Sequence, residues 1–503
     1  MSKSDGFPVD IRLLAVFASL LISLLTSAFG SVPNNDAYGY IRTAEIFSDE
    51  GFAAAFAHYE WATYSLFISI VHKLPGVDLI AAAYFLNALF YGLLVYSFIS
   101  IIREIDDSDR VLLLAAITIL VYPQLNEYRL YIIRDIGFWS LSLFSLWQFM
   151  VFGRTHNYRN AMWFCAALLL AATFRVEAIS YLLVVPLCLL IDERIARDQR
   201  IKYGLFFTGF SLVLLILAIV VSQLAGLGLI KLFTDFVSVY APFLSSTLFP
   251  TEAESLTLAT AIFNEHAANY SREYLTLFLL VGLSAILLAN LFNGIGGPFL
   301  IVLAIGHFKK LCAIEKHNFA PILAILLVNG LILFLFIIVT RFLSSRYTML
   351  LCLVLALFVP LILDRLLQWS GSAGKKVLVT RLIAVFLLYC AIDAYISFGS
   401  TKNYLYDAAD WIAENSSPGT MVLTNNTAIA YFSGKVQEYD LTQRNLTEEE
   451  VLQTSPGSFI AVETTPVMRQ LFQSNAISSR VEQLIAFPDD EEQRLVVYRR
   501  IGN

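Results

Sequence analysis

Residues 11–40 read IRLLAVFASLLISLLTSAFGSVPNNDAYGY, an apolar run followed by a polar turn that contains an acid. The apolar part, 11–29, has the length at which a helix spans the hydrocarbon core of a bilayer. The turn after it places Asp36 at the mouth of that span, among asparagines and tyrosines. A connecting turn needs no such carboxylate, so the stretch predicts both a membrane fold and a candidate site.

The composition of the whole chain agrees with a membrane protein. Of its 503 residues, 58% are hydrophobic and 15% are charged, and the mean hydropathy is +0.68. A soluble domain has roughly 45–50% apolar and about 25% charged residues. The net charge of −6 is small, and no basic cluster suggests a nucleic acid as partner. The cysteines lie in or beside apolar runs without metal-ligand spacing, which favours buried free thiols.

Apolar runs predict about 11 transmembrane helices, because each has the length and hydrophobicity of a membrane span. The predicted spans are 11–29, 78–102, 111–125, 136–153, 160–174, 177–191, 203–224, 275–306, 319–340, 348–364 and 379–398. Asn293-Gly-Ile-Gly-Gly297 interrupts the eighth, which is a candidate for a broken helix. Residues 58–76 are apolar but short, and they predict a re-entrant or amphipathic juxtamembrane helix within an external loop, 30–77.

Basic residues concentrate in alternate loops, so the positive-inside rule places the N-terminus in the cytoplasm and, with an odd number of spans, the C-terminus outside. The tail is polar and predicts a helix over 404–414 and strands at 421–423, 458–462 and 494–498. We therefore expect a polytopic α-helical protein of the inner or plasma membrane. Its transmembrane domain would cover 1–398, and a small periplasmic or extracytoplasmic α/β domain would cover 399–503.

This orientation puts the unusual polar residues on the external side. They are Asp36, Tyr38, Tyr40, Glu60, Arg134, Asp135, Arg175, Glu177, Arg346 and Tyr347. Ionisable groups at membrane depth are costly and usually face a cavity or pair with each other. Acids here could act as a general base towards a hydroxyl, and arginines could hold a phosphate through bidentate bonds. The mixture suits a substrate with an anionic head and a lipid tail.

Structural roles for these residues stay open at this point. Arg175 and Glu177 could form an interfacial ion pair, and Asp135 could be purely structural. Tyr38 and Tyr40 could be ordinary interfacial aromatic residues, which are enriched at this depth.

Several short motifs make the chain resemble the GT-C membrane glycosyltransferases, above all the bacterial aminoarabinose transferases and the protein O-mannosyltransferases. The motifs are Asp36-Ala-Tyr38-Gly-Tyr40, Glu60-Trp-Ala-Thr-Tyr64, Arg134-Asp135, Arg175-Val-Glu177 and Ser345-Arg346-Tyr347. The second departs from the family pattern, because Ala62 and Thr63 stand where many members have two prolines. The order and spacing of the motifs support the resemblance more than any one of them does.

The resemblance implies an enzyme that moves a hexose or pentose from a polyprenyl-phosphate donor to an acceptor hydroxyl on a glycolipid, polysaccharide or protein, with inversion. It implies that Asp36 is the catalytic base, that Arg346 lies near the donor phosphate, and that the other motif residues bind substrate. The cofactor is unknown, and a divalent metal among Asp36, Asp135 and His266 is left open because their pattern is no recognisable signature. The alternatives are a transporter or flippase of a lipid-linked glycan, and a non-catalytic membrane scaffold.

Overall fold

The structure, a computed structural model, describes residues 10–28, 32–224, 250–311, 314–396, 402–417 and 420–502, with a few positions between 234 and 248. The chain divides into two compact units. The first comprises Met1–Leu24, Phe85–Tyr128 and Arg134–Ile396, and the second comprises Leu25–Tyr84, Arg129–Ile133 and Ser397–Asn503. The predicted domain boundary at 398/399 lies outside the described residues, so the division at that point stays a prediction.

The first unit is built from apolar helices. By the residue ranges above, Ile11–Ala28 has its last residues in the second unit, and Leu79–Ile105 has its first residues there. Its α-helices are Ile11–Ala28, Leu79–Ile105, Asp109–Leu120, Pro123–Glu127, Asp135–Thr155, Tyr158–Phe174, Ala178–Val184, Arg197–Leu224, Glu252–Phe263, Glu265–Ser271, Leu275–Ile295, Gly297–Phe308, Lys316–Thr340, Ser345–Ala356, Phe358–Ser372 and Lys376–Tyr395. Short 3-10 helices lie at Tyr128–Leu130, Val185–Ile191 and Arg272–Tyr274.

Within the described residues, eight helices are long and apolar enough to cross a membrane. The count is nine if Asp109–Leu120 and Pro123–Leu130, which are bent by 48°, form one broken span. The chain is thus a multi-pass helical membrane protein, and the number of 11 spans stays a prediction. The helix over 178–191 is a shorter apolar one, and its second half winds as a 3-10 helix at Pro186, a residue that has no amide hydrogen for an α-helical bond.

The interruption predicted in the eighth span is confirmed. Leu275–Ile295 and Gly297–Phe308 are separate helices, divided at Gly296, whose φ is +77°. An L-amino acid with a side chain rarely adopts this left-handed conformation. A Cβ at position 296 would also collide with the Gln124 side chain. The positive φ therefore explains the glycine at this break, since the end of the flexible Gln124 side chain can turn away from an added Cβ.

The second unit combines short helices with one four-stranded sheet. Its α-helices are Asn35–Glu50, Phe52–His58, Thr63–His72, Tyr404–Asn415, Thr427–Phe432, Glu448–Gln453, Pro466–Gln473 and Asn475–Ser478, with a 3-10 helix at Tyr439–Leu441. The strands are β1 (Val422–Thr424), β2 (Phe459–Glu463), β3 (Val481–Phe487) and β4 (Leu495–Arg500), in the order β1-β2-β4-β3. β1 runs parallel to β2, and β4 is antiparallel to both β2 and β3.

The helix and three strands predicted for the tail are confirmed, and β3 is an addition. Its sequence, VEQLIAF, does not alternate strictly between polar and apolar residues. Its pairing with β4 also shifts register between Gln483 and Ile485. Both faces of the sheet are covered. Phe459 and Ala461 of β2 belong to one buried cluster, whereas Ile460 and Val462 belong to the other.

Candidate active site

A buried ion-pair network joins two of the predicted motifs in the first unit. The Nη1 of Arg175 donates to Oδ1 of Asp135 at 2.5 Å, and its Nε and Nη2 donate to Oε1 of Glu177 at 3.1 and 2.6 Å. The side chains of Arg175 and Asp135 are only 11% and 3% exposed. One guanidinium therefore bridges two carboxylates, and charge-assisted bonds of this kind are the strong ones. We call Asp135, Arg175 and Glu177 the Arg175 network.

Local sequence brings the three side chains to helix ends. Asp135 is the first residue of its helix, where a carboxylate interacts favourably with the positive end of the helix dipole. The helix Tyr158–Phe174 is followed directly by Arg175, whose backbone is extended (φ −150°, ψ 123°). The extended residue carries the chain out of that helix, and Glu177 follows two residues later to meet the same guanidinium.

Aromatic rings cover the network on two sides. The guanidinium carbon of Arg175 lies 4.3 Å from the ring centroid of Tyr347 and 5.7 Å from that of Phe138. The guanidinium carbon of Arg346 lies 5.3 Å from the same Tyr347 ring. Cation–π contacts of this kind contribute about 0.5–2 kcal/mol each. Five predicted residues from three separate stretches of the chain are thus linked through these contacts: Asp135, Arg175, Glu177, Arg346 and Tyr347.

Two further arginines lie close to the Arg175 network. Arg134 is near enough to act on Glu177 electrostatically, and Arg346 contacts the Tyr347 ring. Arg175 and Arg346 thus both contact Tyr347, and guanidinium groups are well suited to binding an anion such as a phosphate.

Gly137 sets how closely the helix that begins at Asp135 approaches Phe174. A Cβ at this position would lie 2.7 Å from Cε1 of Phe174, the residue before Arg175. We expect Gly137→Ala to destabilise the protein by about 1–3 kcal/mol, because the overpacked ring must push the helices apart. Thermal unfolding in detergent measures this. Gly153→Ala in the same helix is the control, since a Cβ there meets nothing within 4 Å; equal effects of the two changes would contradict the prediction.

Asp36 lies in the second unit, in the first turn of Asn35–Glu50, with its side chain exposed. The turn before it is fixed by Asn34. The Oδ1 of Asn34 accepts a hydrogen bond from the amide of Ile132 at 2.7 Å, and its Nδ2 donates to the carbonyl of Ile132 at 3.4 Å. Asn34 thus ties the start of the helix to a segment almost 100 residues away, which holds the backbone next to Asp36.

Tyr38 and Tyr40 lie in the packed interior of the second unit. The Tyr38 ring is fully buried, at 5.5 Å from Tyr431 and 6.2 Å from Phe432 between ring centroids. Tyr40 packs against Tyr64 at 5.1 Å, with the rings perpendicular. Burial raises the pKa of Tyr38 well above its ordinary value, so its hydroxyl stays protonated. Both rings stabilise the core, and their binding of substrate stays a prediction.

Glu60 is exposed in the turn before Thr63–His72, and a role for it in binding stays a prediction. Close to it in sequence, the Nε2 of His58 lies 3.0 Å from Oδ2 of Asp440. The sequence analysis missed this pair, and no local pattern could have found it, because 382 positions separate the two residues.

No group of three or more metal-ligating side chains occurs in the part of the chain that the structure describes. Asp135, one of the three residues considered as ligands, instead forms an ion pair with Arg175.

Comparison with known proteins finds similar solved structures, and two of them are forms of ArnT. No family model matches the chain, and no curated protein is similar to it. The crystal structure of ArnT from Cupriavidus metallidurans bound to undecaprenyl phosphate aligns over 98% of this chain and 97% of its own, with a TM-score of 0.47 and 12% identity. The apo ArnT structure aligns over 97% of each chain, with a TM-score of 0.41 and 12% identity. ArnT is one of the aminoarabinose transferases that the sequence resembles; the roles of individual residues rest on this chain's own geometry.

Proposed function

We propose that this chain is a membrane glycosyltransferase that moves a sugar from a polyprenyl-phosphate donor to an acceptor hydroxyl on the external face, with inversion. The observation that supports this most is the cationic, aromatic-lined cluster around Tyr347, at the ends of apolar helices. There a phosphate would meet arginines while its lipid tail lies against the helices. The proposal includes the predicted orientation, with 11 spans, the N-terminus in the cytoplasm and residues 399–503 outside.

Arg175 and Arg346 have different parts in this proposal. Arg175 is bridged to two carboxylates, so it is a positioning residue that orients Tyr347 and keeps the cluster rigid. Arg346 also contacts the Tyr347 ring, at 5.3 Å from its centroid. It would bind the donor phosphate through paired N–H donors.

The chemistry needs one base and no strong acid. Asp36 would take the proton from the acceptor hydroxyl while that oxygen attacks the anomeric carbon. The bond from the anomeric carbon to the phosphate oxygen breaks, and its electron pair leaves with the lipid phosphate. Arginine stabilises the developing charge, because a phosphate, unlike the alkoxide in glycoside hydrolysis, leaves without being protonated. Displacement in one step from the opposite side inverts the anomeric centre.

The remaining predicted residues would orient the two substrates. Glu60 is the exposed candidate for the acceptor, and Arg134, Asp135, Glu177 and Tyr347 would shape the donor end of the site. The acceptor is a glycolipid, polysaccharide or protein, and the sugar a hexose or pentose.

The alternative, a flippase or transporter of a lipid-linked glycan, leaves the glycosidic bond intact. The test therefore supplies purified protein in detergent with a polyprenyl-phosphate sugar and acceptor, where no second compartment exists. Release of polyprenyl phosphate that depends on the protein supports the transferase. An intact donor alongside protein-dependent movement of the same lipid across reconstituted vesicles supports the flippase.

We expect Arg346→Ala to raise the KM for the donor about 10- to 100-fold, since a hydrogen bond to a charged group contributes about 1.5–3 kcal/mol. The KM for the acceptor should stay unchanged. Steady-state kinetics with each substrate varied in turn measures both constants. Arg272→Ala is the control, because Arg272 is half-exposed and its nearest acid, Glu252, lies 3.9 Å away. A change confined to the acceptor would contradict the assignment of Arg346.

A further inference from the structure

The second unit contains a polar cavity between one face of its sheet and the helix Pro466–Gln473. The cavity has a volume of about 310 Å³. Its floor includes two cross-strand pairs, Gln483 opposite Tyr498 and Val462 opposite Val496. Residues that pair directly across neighbouring strands present their side chains on the same face of a sheet. None of the residues assigned to sugar transfer lines this cavity.

An aromatic wall closes one side of the cavity. The rings of Phe472 and Tyr498 stack with their centroids 4.6 Å apart and an interplanar angle of 24°. Phe472 is buried, whereas Tyr498 is partly exposed. Burial raises the pKa of Tyr498, so its hydroxyl is a neutral donor. A flat ring held in this way offers an apolar surface with a polar edge, which suits the C–H face of a pyranose.

Three glutamine amides lie around the wall. Gln473 ends the helix, Gln483 lies on β3, and Gln493 lies in the turn before β4. Among the described residues, none of these three amides takes part in a side-chain hydrogen bond. Each amide offers two donors and an acceptor oxygen, as do the hydroxyls of a sugar, which donate and accept at once.

Gln493 has an additional feature. Its φ is +42°, in the left-handed region that non-glycine residues rarely occupy. Conformations of this kind persist where the surrounding structure enforces them, and they cluster at ligand contacts. The turn thus directs an amide to the cavity despite an unfavourable backbone.

The charge of the cavity has a single sign, which is positive. Arg469 is the only charged side chain among the described residues that line it. It is exposed, and within the described residues it forms no ion pair. Glu482, the nearest acid along β3, alternates with Gln483 and therefore points to the opposite face of the strand. An unneutralised guanidinium favours a phosphate or carboxylate, which it can bind with two parallel bonds.

We propose that this cavity binds an anionic saccharide, with the sugar ring against Tyr498, its hydroxyls on the glutamine amides, and its phosphate or carboxylate on Arg469. The volume lies near the lower end of the range for small-molecule sites, roughly 300–1,000 Å³, which suits one or two sugar units. This binding goes beyond the proposed transfer reaction and does not depend on it. No bond is made or broken in this cavity.

The test titrates the full chain, purified in detergent, with glucose 6-phosphate, galacturonic acid, glucose and inorganic phosphate, using calorimetry. We expect at least one of the two anionic sugars to bind about tenfold or more tightly than both glucose and phosphate. If glucose binds as well as the anionic sugars, the charge requirement is wrong. If inorganic phosphate binds as well, the saccharide requirement is wrong. Failure of both anionic sugars to bind overturns the whole proposal.

Variants assign the binding to this cavity. Arg469→Gln should remove the preference for the anionic sugar, about tenfold, and Gln483→Ala should weaken binding of charged and neutral sugars alike. Arg499→Gln is the control for charge, because Arg499 is exposed and lies over Phe459 on the other face of the sheet. Gln470→Ala is the control for an exposed glutamine on the same helix. An unchanged preference in Arg469→Gln, or an equal loss in Arg499→Gln, overturns the site.

Donor turnover measured on the same preparations separates the two proposals. We expect Arg469→Gln to transfer sugar at the parental rate from a polyprenyl-phosphate donor to a simple acceptor. Loss of the preference for the anionic sugar in Arg469→Gln, with full turnover, is the pattern expected if both proposals hold. A parent protein that binds the anionic sugar but has no turnover contradicts the transferase alone, and a parent that turns over but binds no anionic sugar contradicts this cavity alone.

Discussion

Replacing Asp36 by asparagine is expected to lower sugar transfer by about 10²- to 10⁴-fold, the range that general-base catalysis usually contributes. Asparagine has nearly the same shape but cannot accept the proton of the acceptor hydroxyl. Because Asp36 is exposed at the start of Asn35–Glu50, the substitution leaves the packed interior unchanged. The loss should therefore appear in kcat, with binding of the donor and thermal stability preserved.

Single-turnover kinetics with purified protein measure this effect, and a thermal unfolding curve on the same sample checks the fold. Asp49→Asn is the matched control, since Asp49 is an exposed acid near the end of the same helix. Near-normal turnover in Asp36→Asn would remove the base assignment, and an equal loss in both variants would show that the helix, and not one carboxylate, is sensitive.

Replacing Arg175 by methionine is expected to destabilise the protein by about 3–5 kcal/mol, the usual cost of leaving buried charges unpaired. Asp135, which is buried, and Glu177, which is partly buried, would lose the guanidinium that each now contacts. The cation–π contact with Tyr347 would be lost as well. Donor turnover should fall with stability, because the cluster around Tyr347 loses its support.

Two further variants test the cause. Combining Arg175→Met with Asp135→Asn and Glu177→Gln should recover part of the lost stability at neutral pH, because neither carboxylate charge is then left without the guanidinium. Arg272→Met is the control, since its pair with Glu252 leaves the two side chains 46% and 92% exposed and such surface pairs contribute about 0–1 kcal/mol. If the triple variant is no more stable than Arg175→Met, loss of packing rather than unpaired charge explains the effect.

The pairing within the Arg175 network shows how much of the site can be predicted from local sequence. Arg175 and Glu177 are two residues apart, and the sequence already suggested them as a pair. Asp135 lies 40 positions away, and the sequence left it open between a structural and a substrate-binding role. Contact between them depends on which helix ends lie side by side. The absence of a side chain at Gly137 lets its helix approach Phe174 closely.

The same limit applies to the tyrosines after the first span. Alone, the turn with Asp36 predicts aromatic residues around an acid. Only the packing of Tyr38 against Tyr431 and Phe432 shows that this ring is part of the interior, because burial depends on segments almost 400 residues downstream.

By itself the sequence determined that this is a multi-pass helical membrane protein, where the eighth span breaks, and one helix and three of the four strands of the tail. These are local properties, since hydrophobic length and periodicity depend on neighbouring residues in the chain. The tertiary structure alone decided that one arginine bridges two carboxylates, that Tyr38 and Tyr40 are buried, and that a cavity with a single arginine lies beside the sheet. The physical reason is that an ion pair or a cavity depends on distances between residues far apart in sequence, and only the packing of helices and strands sets those distances.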